Sequence, residues 1–265
     1  MNALLAALPM YDWPEARASV DAEWQRLRER LRQAGIEAPE SLTRRNAEMP
    51  AVPGGIRDGA GRVIAPDPAT LPADELDFHT LWRHPALLLA QTCWGPMEHG
   101  LSAHVAVAGQ PSYDGIEGGQ GEYYSSAVLM RRGDGGASLP PADGCAVLPI
   151  DTLRGKRLAF NGPDSMSGIL ALTRDLEAAG ESLAIFADRL ETGSHRGSIV
   201  AVAEGRADVC AIDCRSWQLA RQYERRAQEV LAVGWTARRK GLPLITSLRT
   251  PPETLAKIRV SLAWA

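Results

Sequence analysis

The sequence predicts an α/β fold built on mainly parallel sheets, and three observations carry that prediction. Short apolar runs alternate with amphipathic helical stretches through the second half of the chain, the order that a sheet covered by helices requires. The run at 86–92 is apolar almost without interruption, as a strand buried on both faces must be. With 265 residues, 45% of them apolar, the chain is large enough to bury a core without disulfide staples.

Taken in order, residues 4–10 read as a first strand, and Val20, Trp24, Leu27 and Leu31 then recur at helical spacing up to Gly35. The opposite face of that helix carries Arg17, Arg26, Arg28, Arg30 and Arg32 with Glu23 and Glu29, a solvated surface with intrahelical pairs. From 47 to 73 the composition turns to Pro, Gly, Asp and Ala, which predicts an exposed excursion with a small hairpin around Asp58 and Gly59. A helix over 74–84 and the strand 86–92 follow. Strands at 105–108 and 125–130 flank the Gly-rich stretch 109–121, and a loop covers 131–144. The remainder reads as strand 157–160, helix 165–179, strand 183–186, helix 194–204, strand 208–212 and helix 216–227. A strand at 244–247 and a helix opening at Pro252 close the chain.

Charge and composition exclude several functions. Lys and Arg total 29 against 32 Asp and Glu, a net charge of −3, so nothing draws the chain to nucleic acid or to an anionic membrane. Its apolar runs fall short of a bilayer span of roughly 20 residues. Cys93, Cys145, Cys210 and Cys214 form no CxxC pair and are expected as free thiols. His79, His84, His99, His104 and His195 make no metal-binding pattern, so no metal and no other cofactor is expected. The N-terminus lacks a basic region before its apolar run and reads as a strand rather than a signal peptide.

The chemistry concentrates at three strand-to-helix turns. In the first, Leu158-Ala159-Phe160 runs through Asn161-Gly162-Pro163-Asp164 into Ser165-Met166-Ser167-Gly168. A helix start leaves N–H groups unpaired and carries partial positive charge, so it can hold an anion, with the two hydroxyls as further donors. Simple helix capping by Asp164 or Ser165 explains the same residues. In the second, Gly193-Ser194-His195 opens a helix and offers an imidazole to a ligand or to solvent. In the third, the run Val209-Cys210-Ala211-Ile212 delivers Asp213 to a strand's C-terminal end, where it accepts from a ligand donor or caps the next helix. Ser165, His195 and Asp213 also match the residue types of a hydrolytic triad, but no G-x-S-x-G elbow accompanies them and no catalytic residue is assigned.

Several segments resemble one family when taken together and in order. They are Leu8-Pro9-Met10-Tyr11-Asp12, Leu89-Ala90-Gln91-Thr92-Cys93-Trp94, Tyr124-Ser125-Ser126, the Ser165-Met166-Ser167-Gly168 turn, Gly193-Ser194-His195, Gly205-Arg206-Ala207-Asp208 with Asp213, and Leu242-Pro243-Leu244-Ile245. The chain thereby resembles the phosphate, phosphite and phosphonate substrate-binding proteins of ABC transporters. The resemblance implies the two-lobed type 2 periplasmic-binding-protein fold, with a ligand cleft between lobes and a helix-flanked sheet in each. Lobe one would span 1–103 and 231–265, lobe two 104–230, with hinges near 104–121 and 231–242.

By the same resemblance a small oxyanion, phosphonate-like or phosphate-like, would be held at Ser165, Met166, Ser167 and Gly168, with Tyr11, Trp94, Tyr124, His195 and Asp213 facing it. The expected role is non-enzymatic capture of that small-molecule oxyanion ligand, through helix-start hydrogen bonds and lobe closure, by a monomer serving an ABC permease. The resemblance implies a periplasmic location, while the N-terminal reading leaves a cytoplasmic one open. Alternatives on this fold are an enzyme of the thiamine-pyrimidine biosynthesis type and a cytosolic ligand sensor.

Overall fold

Hydrogen bonding between strands decides how the chain is partitioned. A computed structural model describes residues 4–263; residues 1–3 and 264–265, the outer ends of the expected first lobe, lie outside the described residues. The chain forms two units, Met1–Pro111 with Leu242–Ala265, and Ser112–Gly241. The strand Val105–Gly109 pairs with Leu244–Ser247 in the first unit, and Val230–Trp235 pairs with Ser126–Arg131 in the second. The crossings therefore fall at 111/112 and 241/242, rather than at 103/104 and 230/231.

In the first unit four strands lie in the order Leu5–Ala7, Leu87–Gln91, Leu244–Ser247, Val105–Gly109. The first two are parallel, and Leu244–Ser247 runs against both of its neighbours. One sheet face packs on the helices Arg17–Gln33 and Pro252–Leu262, through the buried Val20, Trp24, Leu27 and Leu31 at the spacing read from sequence, and through Ile258. The other packs on Leu81, Trp82 and Met97 from the short helices Phe78–Arg83 and Trp94–Glu98. Two arginines of the first helix pair outside it, Arg28 and Arg32 both binding Glu40. The excursion at 47–73 holds the predicted hairpin, Ile56–Arg57 against Val63–Ala65. Buried Asn46 staples its ends, donating to Pro72 O at 2.9 Å and accepting from Asp77 N–H at 2.8 Å.

In the second unit five strands lie in the order Asp188–Glu191, Arg157–Phe160, Val209–Asp213, Ser126–Arg131, Val230–Trp235. The first three are parallel, and Ser126–Arg131 runs against its neighbours on both sides. The apolar run 183–186, expected as a strand, is instead a 3-10 turn over Leu183–Ile185 capped by Ser182, and the strand follows it. The helix expected over 216–227 starts earlier, at Cys214, and stops at Tyr223 before a separate 3-10 segment. A small antiparallel sheet joins Gly119–Gln120, Tyr123–Tyr124 and Arg239–Lys240. Here glycine serves close packing: a Cβ on Gly241 would lie 2.0 Å from the Tyr113 ring, and one on Gly119 2.3 Å from Tyr113 O. Among the described residues all four cysteines are free thiols, and only Cys145 is exposed.

Candidate functional site

Three parallel strands of the second unit end on one edge, at Phe160, Glu191 and Asp213, and a helix starts from each end or just beyond it. Helix starts gathered at the C-terminal edge of parallel strands are where α/β sheets take ligands. Thr192 holds two of these turns together: its N–H reaches Phe160 O at 2.9 Å and its hydroxyl meets Ser198 Oγ at 2.7 Å.

The turn after Phe160 opens in a π-turn, Met166–Leu170, which the α-helix Ala171–Ala178 continues. Ile169 N–H and Leu170 N–H both reach Ser165 O, at 3.2 and 3.1 Å. The capping residue is Ser165, whose Oγ accepts Gly168 N–H at 3.1 Å. That bond uses an oxygen lone pair and leaves the hydroxyl hydrogen for another acceptor. Gly168 is required here, because a Cβ would lie 1.8 Å from Asn161 Oδ1 and 3.0 Å from Ser165 Oγ.

Ser167, His195 and Asp213 come together beside this turn. Ser167 Oγ lies 2.9 Å from His195 Nε2, and that same nitrogen lies 3.3 Å from Asp213 Oδ2. Burial holds the imidazole below its ordinary pKa, opposed in part by the Asp213 charge. A neutral ring facing a carboxylate carries its hydrogen on Nε2, so the Ser167 hydroxyl hydrogen is not needed by His195 and is free for an oxyanion. Nδ1 is then an acceptor; it is buried and has no hydrogen-bond partner. Asp213 divides its oxygens, Oδ1 accepting Ser216 N–H at 2.9 Å as a helix cap and Oδ2 facing His195. In a hydrolytic triad the serine and the carboxylate use opposite ring nitrogens. Here both use Nε2, so the arrangement is not a triad.

Of the remaining predicted residues, Met166 opens the π-turn itself, Tyr124 belongs to the second unit, and Tyr11 and Trp94 belong to the first. Met166 is buried, its sulfur accepting from Arg174 at 3.5 Å. Tyr124 is buried in the second unit with its ring 5.2 Å from that of Tyr113. Tyr11 and Trp94 belong to the first unit: Tyr11 is buried at the end of the 3-10 turn Pro9–Tyr11, and partly buried Trp94 opens the helix Trp94–Glu98. Two polar groups of the second unit were not anticipated. Asn161 Oδ1 and Ser126 Oγ are both buried without hydrogen-bond partners, and Ser126 stands opposite Asp213 in the sheet register. For Asn161 the available signal was one polar residue set between an apolar strand and a Gly-Pro turn. Among the described residues no group of three or more His, Cys, Asp or Glu side chains could hold a metal, and no helix is long and apolar enough to cross a membrane.

Residues 98–263, more than half of the chain, match the model of a family described as ABC transporter, phosphonate, periplasmic substrate-binding protein. No curated protein matches the chain in sequence. Among solved structures, the chain is similar to PhnD1 of Prochlorococcus marinus in complex with methylphosphonate, at TM-score 0.60 and 15% identity, over 97% of this chain and 82% of that one. It is also similar to a binding protein component of an ABC phosphonate transporter from Pseudomonas aeruginosa, at TM-score 0.56 and 13% identity, over 98% and 73% of the two chains. A Xanthomonas citri protein bound to ATP matches at TM-score 0.56 and 15% identity, over 99% and 82%. At these identities the likeness shows the shared fold.

Proposed function

Because the chain belongs to the phosphonate periplasmic substrate-binding proteins of ABC transporters, a family of solute-binding components, we propose that it captures a phosphorus oxyanion at the start of the 166–178 helix. The observation that carries this reading is the Ser167 to His195 contact at 2.9 Å, which leaves a serine hydroxyl hydrogen free beside helix-start N–H groups. Charged oxygens of the solute take those N–H donors together with the Ser165 and Ser167 hydroxyls. His195, backed by Asp213, fixes the Ser167 rotamer. The site works by binding alone, since the shared Nε2 gives no relay from serine to carboxylate. The solute then passes to an ABC permease, and the periplasmic location of the family is where this chain would meet it.

The test is titration calorimetry and thermal shift with methylphosphonate, phosphite and phosphate. At about 100 times its dissociation constant a ligand adds about 2.7 kcal/mol of stability. A Tm rise with one of these anions, lost in the Ser165→Ala/Ser167→Ala double variant, is the expected result. An unchanged affinity in that variant, or conversion of the bound compound to a product, would refute the assignment.

A further inference from the structure

Asn161 brings a buried carbonyl oxygen to the oxyanion turn, and the chain supplies nothing to donate to it. Its Oδ1 has no hydrogen-bond partner, although the side chain sits 1.8 Å from where a Gly168 Cβ would be. Cβ positions on a helix tilt toward its N-terminus, so this oxygen lies on the side of Gly168 that faces the start of the helix. Gly168 N–H is already committed to Ser165 Oγ. The same cluster holds a second unpartnered acceptor, His195 Nδ1, and Asp213 Oδ2 already faces Nε2–H.

A bare acceptor next to an anion site is unfavourable in two ways. It is desolvated without compensation, and it repels the charge the site attracts. Both effects reverse when the anion carries a hydrogen of its own. Phosphates and phosphonates do so to a substantial extent near neutral pH, since their second ionisation lies at about 6 to 8. Sulfate carries none there.

We propose that Asn161 is the specificity-determining residue that reads an acidic O–H on the solute, its carbonyl accepting that hydrogen while the helix start and the two serines take the charged oxygens. The proposal rests on the phosphorus-oxyanion reading above and adds the form that is bound: singly protonated, with fully deprotonated tetrahedral anions rejected. A site built to hydrogen-bond a donor penalises a ligand lacking it far more than it penalises a change of size.

Calorimetry at fixed pH and ionic strength compares methylphosphonate, phosphate and sulfate on the intact protein and on Asn161→Leu, which keeps the volume and removes the acceptor. The intact protein is expected to prefer a phosphorus oxyanion over sulfate by about a hundredfold or more, and Asn161→Leu to bring the two within about tenfold. Asn161→Asp retains an acceptor and is expected to retain the preference, which separates the proposed role from a structural one and covers the case in which the Leu variant fails to fold. If the intact protein binds sulfate as tightly as phosphorus oxyanions, or if Asn161→Leu keeps the preference, the proposal is overturned while oxyanion capture stands. If it binds no phosphorus oxyanion, the underlying reading fails and the proposal falls with it.

Discussion

The Arg239 guanidinium closes on the buried Asp175 carboxylate through both terminal nitrogens, and the same carboxylate accepts Ala237 N–H at 2.8 Å. Asp175 lies on the helix that continues the Ser165 turn, while Arg239 pairs through its backbone with Tyr124. One ion pair therefore ties the helix behind the candidate site to the small sheet carrying Tyr124. Asp175→Ala strands a cation and a backbone donor, and chemical denaturation is expected to show a loss of about 3 kcal/mol. A loss under 1 kcal/mol would mean that solvent replaces the carboxylate.

Ser167→Ala removes one hydroxyl donor to a charged ligand, a contact worth about 1.5 to 3 kcal/mol. Calorimetry is expected to show Kd raised by about tenfold to a hundredfold. The melting temperature without ligand should change little, because Ser167 caps nothing. Ser165→Ala, by contrast, is expected to cost about 1 kcal/mol of folding stability as well as affinity, since Ser165 is the cap.

Gly168→Ala places a methyl group on Asn161 Oδ1, so the carboxamide must swing away. The expected result is loss of oxyanion affinity with a stability cost of about 1 to 3 kcal/mol. Adding Asn161→Ala to Gly168→Ala should recover part of that cost, and strictly additive effects in the double-variant cycle would show that the two residues do not compete for space.

His84 Nε2 donates to Pro50 O at 2.9 Å and Nδ1 accepts Ala86 N–H at 3.1 Å, a pairing that only the neutral ring can make. Burial keeps its folded pKa below the ordinary value. As pH falls from the unfolded value near about 6.5, the unfolded chain takes up a proton that the folded chain refuses. Stability therefore decreases toward acid pH across that window and is complete above it. His195 acts with the same sign. Denaturation midpoints measured from pH 8 to pH 5 should fall, and His84→Gln should flatten the slope.

Asp208 acts with the same sign at lower pH. Arg157 and Arg131 hold its carboxyl well below the usual carboxylate range, with Arg157 N–H adding a bond at 2.9 Å. Its contribution is complete above the unfolded value of about 3.9 and is lost as pH falls through the lower folded value. Asp208→Asn should remove part of the acid limb of the stability curve below about pH 4 and leave its shape near neutrality unchanged.

How much of this could be read from sequence depended on whether a residue's environment is local. The first helix was legible because its four buried residues repeat at helical spacing, and the turn at Ser165 because strand, Gly-Pro and serines are consecutive. Leu183-Ala184-Ile185-Phe186 misled because a capped 3-10 turn buries an apolar run as well as a strand does, while the real strand Asp188–Glu191 sits at the sheet edge and is mostly exposed. Val230–Trp235 was read partly as a connecting hinge, since its pairing with Ser126–Arg131 joins residues about a hundred positions apart. Asp213 was visible as a cap or a ligand acceptor; the structure gives one of its oxygens to the cap at Ser216 and turns the other to His195, a partner 18 positions away that sequence does not show. Asn161 escaped because an unpaired acceptor is defined by what surrounds it in space.

The π-turn over Met166–Leu170 holds one residue more than an α-helical turn would. Leu172 and Leu176 keep α-helical register with the core beneath them, while Ser165, Ser167 and Gly168 are set by a separate, wider coil. Loss of that extra residue would turn the serines by about 100° relative to the leucines and leave the leucines packed. The direction in which the serines point and the packing of the helix on its core are therefore set by different residues, and a change in the length of this turn would re-aim the proposed site over an unmoved core.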